Sequence, residues 1–248
     1  MKKHIFCLIA ALLLTSFVSV SAMPIFDAKG QVLVLTYHRL STDSSMANDY
    51  TVTPDTFESD IKLLKSKGYE FLKASQIEGD FSKDRKIAVI TFDDGYKSDL
   101  EYAAPILEKH SACATFFIIG EMIGKSGYMS EDDINLLSQK SCCEIGNHSY
   151  SIHSKFPSTI TLMYRSNKFN DSIIADFKKN NKLLQEITGI TPVSVSYPNG
   201  IYNLTVDKAL HKDGILATFC TEEIPYKAEL TPIGRKNRGK NRNINNLL

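Results

Sequence analysis

Ile87-Ala-Val-Ile-Thr-Phe92, followed at once by Asp93-Asp94-Gly95, is a short uncharged β-rich run that ends in two carboxylates and a glycine turn. Similar runs recur along the chain: Gln31–Tyr37 (QVLVLTY), Ala114–Ile119 (ATFFII), Glu144–Asn147, Val193–Tyr197 and Ile215–Phe219. Between them lie stretches with helical spacing. Pro54–Lys67 repeats Phe57, Ile61 and Leu64 and stops at Gly68. Lys97–His110 places Leu100, Ala103, Ala104 and Leu107 on one side. Ser130 caps a third helix with Ile134 and Leu137 inward. Phe169–Thr188 is long and halted by Gly189, and Val206–Lys212 is the last. Buried strands alternating with helices predict an α/β fold, a parallel sheet covered by helices and either open or closed into a barrel. In such folds ligands gather where strands end. Five polar residues stand at such exits: His38, Asp93, Asp94, His148 and Asn199.

The 248 residues, 43% apolar, suffice for one large domain with a core of its own. A net charge of +1 excludes the electrostatic footprint of a nucleic-acid binder and the charge excess of a disordered chain. Residues 1–22 read as a signal peptide: Lys2, Lys3 and His4, an apolar run from Ile5 to Val18, then Val20-Ser21-Ala22 for cleavage. The run falls short of the roughly 20 residues that span a bilayer. A mature domain over 23–248 is therefore expected in the periplasm or outside the cell, with no stable membrane insertion. The cysteines suggest no zinc knuckle, and Cys113 and Cys220 sit in apolar runs as buried free thiols do. Residues 235–248 are basic and Asn-rich and read as a frayed tail.

Two adjacent aspartates at a strand exit repel each other unless a cation neutralises them. With a divalent metal, one can ligate and the other can accept a proton from water. Alone, Asp-Asp-Gly reads first as a solvated turn. His148 and His153 are five apart; on a helix they would diverge by about 140°. In a loop after a short strand they can converge, and two imidazoles plus a carboxylate make an open metal site. Two unrelated surface histidines are the plainer alternative. His38, in Tyr37-His38-Arg39, becomes a candidate proton donor only if it reaches the same cavity.

Taken together, these stretches resemble the NodB-like polysaccharide deacetylases, carbohydrate esterase family four, from about Val32 to Phe219. Thr91-Phe-Asp-Asp-Gly95 looks like the family's first motif, and Glu144-Ile-Gly-Asn-His-Ser149 like its second. The resemblance implies a distorted (β/α) barrel with mostly parallel strands and outer helices. It implies Asp93 as catalytic base, and Asp94, His148 and His153 as ligands of a divalent metal. Zn²⁺ is expected there, with Co²⁺ or Ni²⁺ compatible with the donors. The five-residue step between the histidines is similar to the biofilm poly-N-acetylglucosamine deacetylase branch, whose early Tyr-His motif implies His38 as the acid. The backbone N–H of Tyr197 is the expected oxyanion donor. Three family features are absent: Ser196 stands where an arginine usually orients the base, there is no late Leu-x-His, and there is no tryptophan. The implied activity is metal-dependent removal of N-acetyl groups from an N-acetylglucosamine polysaccharide, releasing acetate. Alternatives are the same chemistry on peptidoglycan, chitin fragments or a small amide, or a glycan-binding protein without catalysis.

Overall fold

The computed structural model describes residues 32–77, 81, 85–155, 157–227 and 231–248. The segment read as a signal peptide lies outside the described residues. Eleven strands and six α-helices follow in order: β1 (Val32–Tyr37), β2 (Arg39–Leu40), β3 (Thr51–Val52), α1 (Pro54–Ser66), β4 (Tyr69–Leu72), β5 (Lys86–Phe92), α2 (Ala104–His110), β6 (Ala114–Ile118), α3 (Glu131–Ser138), β7 (Cys143–Asn147), α4 (Pro157–Arg165), α5 (Asn170–Thr188), β8 (Ser194–Ser196), α6 (Leu204–Lys212), β9 (Ala217–Cys220), β10 (Ile233–Gly234) and β11 (Lys236–Asn237).

The main sheet runs β10-β9-β8-β7-β6-β5-β1-β11, with β4 added beside β5, and every pairing in it is parallel. β10 and β11 are one extended stretch interrupted at Arg235. Its first half pairs with β9 (Ile233 opposite Phe219) and its second with β1 (Leu35 opposite Lys236). The stretch thus bridges the two ends of the sheet, which is nearly closed into a barrel ringed by helices. Residues 235–248 are accordingly no frayed tail: Arg235 and Arg238 are buried, and so are Ile244 and Leu247.

Local chemistry explains the elements. Thr53 caps α1 by accepting from the Thr56 N–H, and Pro54 takes the first turn, where no N–H partner is needed. Phe57, Ile61 and Leu64 of α1 are fully buried against β1 and β5 residues such as Leu35 and Ile90. Ser130 and Asp133 form a reciprocal capping box at α3. The helix expected over 97–110 is instead split. Residues 99–103 form a π-helical turn, and α2 begins only at Ala104. Pro105 explains this, because it has no N–H for the ladder and its ring crowds the carbonyl four residues back.

A cluster of Val34, Ile87, Val89, Phe117, Phe219 and Ile233 fills one face of the strands. A larger cluster built from the alternate residues of β1, β5 and β6 packs against α1, α2 and α3. A third joins β8 to α4, α5 and α6. The four described cysteines are free, with Cys220 and Cys143 buried and Cys113 half-buried. No helix among the described residues is long and apolar enough to cross a membrane.

Candidate metal centre and active site

Strand alternation delivers the polar groups. Side chains two apart share a face, so the face of β5 that carries Ile87 and Val89 continues through Thr91 to Asp93. Likewise Val34 leads through Thr36 to His38, and Gly146 precedes His148. The backbone then departs from strand geometry. Asp94 has φ +82° and Ser149 φ +67°, a left-handed conformation that costs a non-glycine residue on the order of 1–3 kcal/mol. Gly95, at φ +80°, lies so close to Ile118 that a Cβ there would meet its side chain at 3.1 Å.

These turns bring Asp94, His148 and His153 together. One ligand atom from each lies within 4.8 Å of the others. Asp94 Oδ1 is 3.5 Å from the Nε2 of both histidines. That is too long for a good hydrogen bond, but it matches the ~3.4 Å edge of a tetrahedron whose metal–ligand bonds are ~2.1 Å. Asp94 Oδ1 is buried without a hydrogen-bond partner, an arrangement that a cation would satisfy. His148 Nδ1 lies 2.8 Å from the Ser196 carbonyl, which fixes Nδ1 as the protonated nitrogen and leaves Nε2 for a metal. Burial, followed by His148, pulls the His153 pKa down to about 4, so this ring is neutral and ready to ligate. Burial also works against charge on His148, but Asp93 and Asp94 prevail and raise its pKa. The residues therefore fit a divalent ion.

Asp93 lies beside the triad, its Oδ2 3.8 Å from His148 Nε2. Arg235 grips it with both arms: Nη1 to Oδ1 at 2.8 Å and Nη2 to Oδ2 at 2.7 Å. The Ser196 hydroxyl donates to Asp93 Oδ2 at 3.1 Å and accepts from Arg235 Nη2 at 2.8 Å. Burial by itself would raise the Asp93 pKa, but Arg235 above all, then His148, hold it far below the usual carboxylate range. Arg235 is itself held by the Thr91 hydroxyl and the Cys220 carbonyl, with its guanidinium 5.7 Å from the Phe117 ring and 5.9 Å from that of Phe219. The guanidinium missing at position 196 is thus supplied 39 residues downstream, from a segment read as a tail. Pro232-Ile233-Gly234 just before it, a turn followed by an apolar residue, was the only local signal.

His38 does reach the cavity, which has a volume of about 590 Å³ and is also lined by Tyr50, Tyr96, Asn199, Thr221 and Asn237. Its Nδ1 is buried without a partner, and Tyr50 meets its ring edge-on at 5.0 Å. Burial lowers the His38 pKa against the pull of Asp93 and Asp94. The role expected for the Tyr197 backbone is corrected: its N–H already donates to the Phe219 carbonyl at 2.9 Å. The Tyr197 side chain is buried too, donating to Asp207 at 2.9 Å.

The sequence profile of the polysaccharide deacetylases matches residues 81–218, more than half of the chain. The chain belongs to the polysaccharide deacetylase family. Among relatives of this chain is YxkH of Bacillus subtilis (strain 168), 31% identical over 76% of this chain; the match spans 64% of the length of YxkH. The poly-beta-1,6-N-acetyl-D-glucosamine N-deacetylase of Staphylococcus aureus is 27% identical over 79% of this chain and 73% of its own. In fold the chain is similar to IcaB from Ammonifex degensii, with a TM-score of 0.73 at 22% identity over 85% of this chain and 93% of that one. The parallel sheet read from strand–helix alternation is present, and it is the nearly closed barrel that the resemblance implied.

Proposed function

We propose that this chain is an exported, metal-dependent N-deacetylase acting on an N-acetylglucosamine polysaccharide. The observation that carries the reading is Asp93, held ionised by Arg235, beside three converging metal-ligating atoms. Asp94, His148 and His153 would hold the ion, Zn²⁺ or else Co²⁺ or Ni²⁺. Such an ion supplies Lewis-acid polarisation of the acetamide and an acidified water.

The protein's own groups do the rest. Asp93 takes a proton from the water that attacks the acetyl carbon. Arg235 and Ser196 keep its two oxygens oriented and ionised throughout the working pH range. Because Tyr197 is engaged and Pro198 has no N–H, the main-chain donor for the developing oxyanion is assigned to Asn199. This residue lines the cavity at φ +54°. His38, as imidazolium, delivers a proton to the departing nitrogen as the C–N bond breaks, and the proton taken by Asp93 returns through solvent to recharge the ring. Water and the acetamide become acetate and a glucosamine unit that protonates in solution.

Poly-β-1,6-linked N-acetylglucosamine is the preferred substrate class, on the likeness to the S. aureus enzyme. Peptidoglycan, chitin fragments and small amides remain the competing substrates of the same chemistry. A purely glycan-binding role leaves the strained, metal-shaped triad and its ionised neighbour without a purpose. Acetate release from β-1,6 and β-1,4 oligomers with added Zn²⁺ tests the proposal. Chelator-sensitive release, faster on the β-1,6 oligomers, is expected. No release from any acetylated glycan would overturn the enzymatic reading.

A further inference from the structure

Two of the three candidate ligands lie on one irregular segment, His148 to His153, and the structure shows what shapes it. Asp176, on α5, is half-buried and points its carboxylate at the middle of that segment. Its Oδ1 accepts from the Tyr150 N–H at 2.7 Å. Its Oδ2 accepts from the Ser151 N–H at 3.0 Å and the Ser151 hydroxyl at 2.8 Å. Consecutive backbone N–H groups aimed at one carboxylate require a curled main chain, which here follows Ser149 at φ +67°.

The two histidines depend on this curl unequally. His148 has supports of its own: its N–H donates to the Ile118 carbonyl and its ring is tied to the Ser196 carbonyl. His153 has a side chain 28% exposed, and its backbone is tied through the N–H to the Ser149 hydroxyl at 3.3 Å. It reaches Asp94 only because the chain turns back between the two rings. A neighbour one helical turn along reinforces the same end of α5: Asn180 donates to the Ile118 carbonyl and to Asn147 Oδ1, and Asn147 Oδ1 accepts from the Ser149 N–H.

We infer that Asp176 is a positioning residue for the metal centre: by clamping Tyr150 and Ser151 it places His153 opposite Asp94 across a five-residue step. The inference rests on the metal site proposed above. Asp176 is hydrogen-bonded to Tyr150 and Ser151 and not to the candidate ligand atoms, so its effect runs through the conformation of the segment.

Competition for Zn²⁺ with a chromophoric chelator, on the intact protein, tests this. Asp176→Ala is expected to weaken Zn²⁺ binding about 10–100-fold, the usual effect of removing an outer-sphere support. In a His153→Ala background, the same substitution should change the affinity by less than about threefold, because the ligand it positions is gone. A purely structural role would instead lower the thermal midpoint of the metal-free protein and leave affinity per folded molecule unchanged. Should Asp176→Ala not fold, Asp176→Asn keeps the volume but turns an N–H₂ toward Ser151, and a loss of about threefold to tenfold is expected. Unchanged Zn²⁺ affinity in the folded variant, or a full second loss in the His153→Ala background, overturns the inference. If the unsubstituted protein binds no Zn²⁺, the metal site itself fails, which is a separate result.

Discussion

Arg235 and Arg238 flank β11 on the stretch that bridges β9 to β1, and each embraces a buried aspartate, yet the two aspartates behave in opposite ways. Arg238 binds Asp60 of α1 through Nε at 2.7 Å and Nη2 at 3.2 Å, and the Tyr37 hydroxyl completes that site. Burial nevertheless outweighs both partners, and the Asp60 pKa is raised. At Asp93 burial loses, because His148 and His38 add to the field of Arg235. One guanidinium is therefore not enough to keep a buried carboxylate strongly acidic. Asp93, the proposed base, owes its depressed pKa to the imidazoles as well as to Arg235.

The largest expected effect isolates Asp93. Asp93→Asn should reduce acetate release by about 10³-fold, within the usual range for a general base, while Zn²⁺ affinity measured by chelator competition stays unchanged. Full turnover in this variant would remove Asp93 from the mechanism. Next come the two arginines. Arg235→Met should lower kcat about 100-fold through a misplaced base. Arg238→Met should leave kcat of the folded enzyme within about threefold but cost about 3 kcal/mol of stability in urea unfolding, as expected when one partner of a buried pair is lost. If both variants lost turnover equally, the division into a catalytic and a structural pair would collapse.

A smaller effect concerns pH. The depressed pKa of Asp93 contributes stability that is present above about pH 3.9, the unfolded value, and is lost as the pH falls through the folded one. The raised pKa of Asp60 does the reverse: its contribution is complete below about pH 3.9 and fades as the pH rises through its folded value. Each can change the slope of stability by up to about 1.4 kcal/mol per pH unit. Urea titrations of wild type, Asp93→Asn and Asp60→Asn between about pH 3 and 6, in chelator, should give slope changes of opposite sign; equal signs would contradict the assignment. The smallest effect belongs to Ser196→Ala. Loss of one hydroxyl donor should slow turnover about threefold to tenfold, because Arg235 still holds both oxygens of Asp93; an effect as large as that of Arg235→Met would make the hydroxyl, and not the guanidinium alone, the main support of Asp93.

The sequence made the strand-exit residues legible because each lies at the end of a run whose pattern is local. Asp93, Asp94, His38 and the His148/His153 pair could all be picked out within a few residues of an apolar strand. Arg235 could not, because its contact with Asp93 spans 142 positions and its strand offers only two paired residues on either side, too few for any periodicity. β4 was equally hidden, since Tyr69–Leu72 is nowhere fully buried and shows no clean alternation. The helix α4, Pro157–Arg165, opens with Pro-Ser-Thr, weak helix formers that signal a turn as readily as a helix. The Tyr197 N–H failed as an oxyanion donor for a related reason: only the register of β9 shows that Phe219 claims it.

The seam strand has one more consequence, for the order in which competence arises. A ribosome-bound chain that has emerged as far as Gly200 already carries both histidines and both aspartates of the centre, but not the guanidinium that neutralises Asp93. Until residues 233–238 arrive and zip β9 to β1, two carboxylates face each other with only imidazoles between them, and the barrel stays open at its side. Sealing the wall and pairing Asp93 with its guanidinium are therefore a single event.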